Sequence, residues 1–239
     1  MDLQLLKRIF NAPFSTPKES YYLELGLMPP SMLVKVRRIL YLHYLLNKQP
    51  TQMLSMFFWT QWRKPCKGDW VYSVQADLKE LGLSPDLSSL KEYSKESFKK
   101  LVKSKAVTLT FQILMKKKES HSKLNSLNYH SLETQSYFRR EQLTKLDART
   151  IFLFRTRMCD FWGNYRGTES GRLCPLCRNH PDKQELIAEC SVLKSEFGSL
   201  HSILQNVYSK DVRTEDAKCV VKVLQYREKI KQEKQSFAA

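Results

Sequence analysis

The sequence predicts an all-α fold, an irregular helical assembly with a small zinc-knuckle-like element near its C-terminal end. Three observations lead there. Seven glycines in 239 residues are too few for the tight turns of a sandwich or barrel. Apolar residues, 42% of the chain, recur at helical spacing and nowhere alternate over the length of a strand. Helix-starting and helix-stopping residues bracket the apolar segments, as the elements show in order.

Thr16-Pro17-Lys18-Glu19 has the form of a capping box that opens a helix through Tyr22, Leu23 and Leu25, stopped by Gly26. Pro29 and Pro30 introduce a helix from Ser31 to Asn47. Met32, Val36, Ile39, Leu40 and Leu46 face a core there, while Lys35, Arg37 and Arg38 stay wet and His43 packs among apolar neighbours. Residues 51–63 form a short helix whose Phe57, Phe58, Trp59 and Trp62 belong to the core; any that stay exposed would mark a docking surface. Asp69 caps the next helix, which runs through Trp70, Val74 and Leu78 to Gly82. Residues 84–93 read as a linker. Ser94 then opens a long helix ending at Lys116-Lys117-Lys118. Residues 120–136 read as a loop, and Leu143–Cys159 as a helix with Phe152 and Phe154 inward. Asn164–Arg172 is a loop, and the last helix starts at Thr214 with Ala217, Val220, Val221 and Leu224 buried. The division this suggests is 1–125, a helical region, and 126–239, holding a basic helix, the cysteine element and the C-terminal helix.

Forty Lys+Arg against 24 Asp+Glu give a formal charge of +16, spread along the chain. Such a surface favours a polyanion, RNA or DNA, because cationic side chains release counterions condensed on phosphates. No apolar run reaches the ~18 residues of a membrane span. Six cysteines without a secretory leader predict a reducing compartment, nucleus or cytoplasm.

Cys174-Pro175-Leu176-Cys177 presents two thiolates to one tetrahedral ion, and Cys190 supplies a third. The usual His-x-x-x-Cys ending would put a histidine where Leu186 stands. His180, two residues past Cys177, is the cramped fourth candidate and His201 a distant one. The metal expected is zinc, weakly held by an incomplete set. The competing reading is a degenerate knuckle packed by Leu173, Leu176 and Leu186. Cys66, Cys159 and Cys219 read as small buried side chains.

The ordered series LLKRIFNAPFSTPKESYYLELG, RRILYLHYLL, GDW before a helix, SKESFKKLV, FLFRTRM and CPLC with Cys190 resembles the C-terminal region of non-LTR (LINE-type) retrotransposon reverse transcriptases. The likeness covers nearly the whole chain, including Tyr208, Asp211 and Tyr226-Arg227-Glu228 in the tail. In that family this region follows the palm and thumb and ends in a zinc-knuckle-like element. The resemblance implies help in holding template RNA or target DNA, beside the remainder of the reverse transcriptase. It assigns the knuckle cysteines to Cys174, Cys177 and Cys190, and places Arg155 and Arg157 on the basic helix before them.

The nucleic-acid-contacting residues expected are Arg149, Arg155, Arg157, Arg166 and Arg172, since arginine's planar fork suits both phosphate and stacked bases. Lys95, Lys99 and Lys103, one helical face, read first as solvated and second as phosphate contacts. No enzyme is expected, because no Asp-Asp pair occurs to hold two catalytic metals. Asp182 and Asp216-Ala217-Lys218 spell a nuclease-like pattern by chance. The alternative to nucleic-acid binding is a helical protein-interaction module that has lost it.

Overall fold

The computed structural model describes residues 3–49, 51–165 and 172–236, and among them no β-strand forms. The fold is all-α, with a small cysteine-histidine element near its C-terminal end. The chain opens with α1 (Leu3–Phe10) and α2 (Lys18–Leu25). It divides into two compact units, Met28–Leu114 and Met1–Leu27 with Met115–Ala239. These units do not follow the division at 125/126 suggested by the sequence. The N-terminal helices bury their aromatic faces against residues more than a hundred positions downstream, a pairing that linear composition does not reveal.

In the 28–114 unit, α3 (Pro30–Leu46), α4 (Met53–Arg63), α5 (Trp70–Glu80), α6 (Leu87–Lys91) and the first turns of α7 (Lys95–Glu119) share one core. Val36, Ile39 and Leu42 of α3 meet Phe58, Val74, Leu78, Phe98 and Val102 there. Each such side chain, fully buried, contributes about 1.5–3 kcal/mol relative to exposure. His43 packs as expected, its ring stacked on Phe98 at 4.5 Å. Arg38 grips Asp77 with two hydrogen bonds of 2.7 and 3.1 Å, joining α3 to α5. Burial raises the Asp77 carboxyl and the Arg38 guanidinium opposes that rise.

Three local expectations change in this unit. Asp69 precedes α5, but its carboxylate accepts the Cys66 amide at 3.0 Å instead of capping the helix. The 84–93 linker contains α6, capped by Asp86, which accepts the amides of Ser88 and Ser89. Of the aromatic group in α4, Phe58 is buried and Trp62 half-buried, but Phe57 and Trp59 face solvent. Four aromatics within six residues must point round the helix, so one core cannot take them all.

The other unit packs α1, α2, α8 (Lys145–Arg155), α11 (His201–Tyr208) and α12 (Thr214–Ser236) around Phe10, Tyr21, Phe152, Phe154 and Val220. The Phe10 and Phe152 rings lie 4.4 Å apart, and Tyr21 and Phe152 5.1 Å. Gly26 ends α2 with φ 64°, and a Cβ there would lie 2.4 Å from the Glu133 and Thr134 backbone, so no side chain fits. Thr16 does not cap α2. Its hydroxyl donates to the Pro13 carbonyl at 2.7 Å, and Glu19 pairs with His121 at 3.4 Å. A capping box forms instead at α8, between Thr144 and Asp147.

A buried ionic network holds this unit. Glu24 accepts the hydroxyls of Tyr129 (2.6 Å) and Tyr137 (2.7 Å) and the Arg155 Nε (2.9 Å). Arg155 Nη1 donates to the carbonyls of Val207 and Ser209. Glu24 and Arg155 are both fully buried, so each charge is tolerated only through the other and these donors and acceptors.

Candidate metal centre and basic surfaces

The cysteine element follows the short α9 (Trp162–Tyr165). Its chain reverses tightly between Arg172 and Asp182. The Cys174 amide donates to the His180 carbonyl (2.7 Å) and the Asp182 amide to the Arg172 carbonyl (2.8 Å), a two-rung antiparallel clasp. Arg178 makes the turn with φ 58° and donates its amide to the Cys174 carbonyl. This reversal carries His180 back beside Cys174, which linear spacing made look cramped.

A 3₁₀ helix (Gln184–Glu189) then delivers Cys190 to the start of α10 (Ser191–Phe197). The ligand atoms of Cys174, Cys177, His180 and Cys190 all lie within 4.8 Å of one another, the one such grouping among the described residues. Cys174 and Cys190 Sγ are 3.8 Å apart. That matches the ~3.8 Å edge of a tetrahedron built on Zn–S bonds of about 2.3 Å. His180 Nδ1 lies 2.9 Å from the Pro181 carbonyl, which can only accept, so Nδ1 carries the proton. Nε2 is shielded from solvent, has no hydrogen-bond partner and keeps its lone pair for a metal. The residues therefore fit a Cys₃His zinc site. Leu186 stands at the usual histidine position, and His180, the fourth candidate read from the sequence, lies beside the three thiols instead. His201 takes no part, pairing with Glu189 at 3.0 Å.

The thiols are unequal. Burial would raise Cys177, but the amides of Asn179 and Ser191 and the two neighbouring thiols hold it below its ordinary value. Burial pushes Cys190 up to about 12, with Cys174 adding to the rise. A divalent cation would remove this conflict by taking the thiolates as ligands.

Helix α12 holds the element in place. Lys234 donates to the carbonyls of Pro175 (3.0 Å) and Leu176 (2.9 Å), and Lys231 pairs with Asp160. Arg227 lies 4.2 Å over the Phe161 ring, and its Nη2 donates to both carboxylate oxygens of Asp182 at 2.7 and 2.9 Å. Asp216 is held by Arg213 and Asn206. Both acids of the nuclease-like pattern thus have partners of their own and join no metal grouping.

Of the five arginines expected at a nucleic-acid surface, four lie among the described residues, and these four do not share one open face. Arg155 is fully buried, and a side chain without accessible surface cannot meet a phosphate. Arg149 Nε donates to the Phe10 carbonyl (2.7 Å), and Arg157 is paired with Glu185 (2.6 Å). Arg172 is exposed over the Trp162 ring at 5.0 Å and remains available; Arg166 lies outside the described residues. Arg139, Arg140 and Lys210 share a 280 Å³ cavity with Glu133 and Asp211, so charge there is mixed.

The exposed, unpaired cations that sequence reasoning ranked second are lysines. Lys95, Lys99 and Lys103 of α7 face solvent with no carboxylate partner among the described residues, as do Lys100 and Lys105, which the sequence did not single out. Of the lone cysteines, Cys66 is exposed, not buried as expected, while Cys159 and Cys219 are half-buried. Comparison with protein-family models, curated proteins and solved structures gave no match.

Proposed function

We propose that this chain is a non-catalytic nucleic-acid-binding protein, a fragment or host-adopted remnant of the C-terminal region of a non-LTR retrotransposon reverse transcriptase. The observation that carries the reading is the complete Cys₃His set on its clasped turn, with a histidine tautomer already fixed for a metal. Such small zinc elements orient short backbone turns against nucleic acid, and exposed Arg172 and Arg178 lie on either side of the Cys174–Cys177 turn here. The formal charge of +16 and the resemblance in motif order support the same partner class.

The test is binding of the zinc-loaded chain to a labelled single-stranded RNA and to a DNA duplex across a salt series. Affinity should fall by about 0.7–0.9 log units per log unit of salt for each phosphate neutralised. Binding that ignores salt, or no binding to either, rejects the reading.

A second reading, a helical protein-interaction module, is favoured by one feature. Met53, Leu54, Met56 and Phe57 of α4 are each more than half exposed. Capture of a protein partner that α4 substitutions abolish, with no nucleic-acid affinity, would establish it instead.

A further inference from the structure

In the 28–114 unit, a groove of 600 Å³ lies between the C-terminal turns of α3 and the start of α7. Its size is that of a pocket for a small organic ligand, on the order of 300–1,000 Å³. Two exposed tyrosines, Tyr44 and Tyr93, line it, with three ammonium groups from Lys48, Lys95 and Lys99. No carboxylate lines it. Glu92 and Glu96, nearby in sequence, are exposed and pair with none of these lysines.

The rings are held in place from behind. His43 Nε2 lies 3.0 Å from the Tyr93 carbonyl and fixes that backbone to α3 while the phenol faces out. Tyr41 stacks on Tyr44 at 5.7 Å with 19° between planes, extending the aromatic platform. Lys48 lies over the Tyr44 ring at 4.7 Å, a cation resting on a π-face that is open to exchange.

We infer that this groove is a seat for single-stranded nucleic acid, in which an unpaired base stacks on Tyr44 and Tyr93 while its phosphates lie along Lys48, Lys95 and Lys99. The inference rests on the proposed nucleic-acid function but places contact on a unit other than the one holding the metal centre. Flat aromatic faces accept any base, so the seat is tolerant of sequence. Lys48 leaves the Tyr44 ring for a phosphate as the base takes its place. Lys103, one further turn along α7, continues the cationic row at a step of about 6 Å. Paired bases have no free face to offer, so a duplex is excluded from the stacking contact.

The test uses the full, zinc-loaded chain with a fluorescein-labelled 12-nucleotide oligouridylate, the matching RNA duplex and free UMP. Tyr44→Leu with Tyr93→Leu should weaken oligouridylate binding by roughly tenfold or more. The two Phe replacements should restore it. Lys95→Ala with Lys99→Ala should flatten the salt dependence by about 1.4 log units per log unit, two phosphates' worth on a single strand. 4-Thiouridine in the oligomer should crosslink within 41–48 or 93–99. Weaker binding of UMP than of the oligomer supports the row of phosphate contacts. The substituted tyrosines are about half exposed, and thermal unfolding of each variant verifies folding.

Oligomer binding that is lost only with Cys177→Ser and unchanged in the tyrosine and lysine variants overturns the groove and leaves the broader reading standing. Equal loss of duplex and single-strand binding in the tyrosine variants also overturns it. No binding of any probe by the parent chain removes both.

Discussion

Arg155 looks in sequence like a nucleic-acid contact, a basic residue among aromatics; in the fold it is the charge that α8 needs to meet Glu24. Arg155→Ala would leave the Glu24 carboxylate fully buried with only two phenols for company. We expect a loss of about 3–5 kcal/mol in urea unfolding. Arg155→Lys should not restore it, because one ammonium cannot reach Glu24 and the Val207 and Ser209 carbonyls together. A loss below about 1 kcal/mol would mean that the network does not form. The tyrosines of the same cluster give a pH signature. Burial first, then the Glu24 charge, holds Tyr129 and Tyr137 well above the ordinary phenol value. Their folded forms keep a proton that the unfolded chain releases near pH ~10. This contribution to stability is therefore intact below about pH 10 and declines as pH rises beyond it. Tyrosinate absorbance should show both ionising only as the unit unfolds. Their ionisation in a folded chain, with unchanged near-ultraviolet dichroism, would contradict the burial.

At the scale of elements, two threonines show what local sequence can and cannot decide. Thr16-Pro17-Lys18-Glu19 and Thr144-Lys145-Leu146-Asp147 have the same capping form, and only the second caps. The first loses its hydroxyl to the Pro13 carbonyl and its acid to His121, contacts that no local rule anticipates. Thr144→Ala should cost about 1 kcal/mol, while Thr16→Ala should leave the helix content of α2 unchanged. Equal losses of helical dichroism in both would mean that α2 is capped after all. The apolar period of α3 and α12 and the stop at Gly26 were legible because a helix facing one core writes its face into its own spacing. The exposure of Phe57 was not, since spacing alone does not say which of several aromatic faces meets a core. Gly26 was legible as a helix end but not as a packing site. Its missing Cβ admits the backbone of residues 133 and 134, from which it is separated by over a hundred positions. Gly26→Ala combines a positive φ with a backbone collision and should cost about 2–4 kcal/mol in chemical unfolding. A neutral effect would mean that the 133–134 segment does not pack there.

Across the whole molecule, the arginines divide between those that pair and those, such as Arg37, Arg63, Arg172 and Arg178, that stay exposed beside the lysines of α7. Arg38, Arg155, Arg157, Arg213 and Arg227 each bind a carboxylate, whereas the lysines of α7 bind none. Composition gives the sum of charge and not this partition, which depends on where acids come to rest after folding. The metal centre divides the same way. Its three cysteines were legible from their spacing, and its histidine only as a poor candidate. The clasp from Arg172 to Asp182 and the positive φ of Arg178, which bring His180 into reach, are three-dimensional facts. The resulting set predicts how zinc binding responds to pH. Cys190, pushed up to about 12, holds its proton at neutral pH and must release it for the sulfur to become a ligand. Affinity for zinc should therefore rise with pH between about 6 and 8, gaining at least about one log unit per pH unit. Calorimetric titration in two buffers of different ionisation enthalpy should count one or more protons released per zinc. Because the set sits in a clasp held by Arg227 and Lys234, zinc should also slow amide exchange across residues 172–193 and in the last turns of α12. At about a thousand times its dissociation constant, it should add roughly 4 kcal/mol to the stability of that region. A zinc affinity that does not vary with pH, or binding that survives Cys177→Ser and Cys190→Ser together, would show that the ion sits elsewhere on the chain.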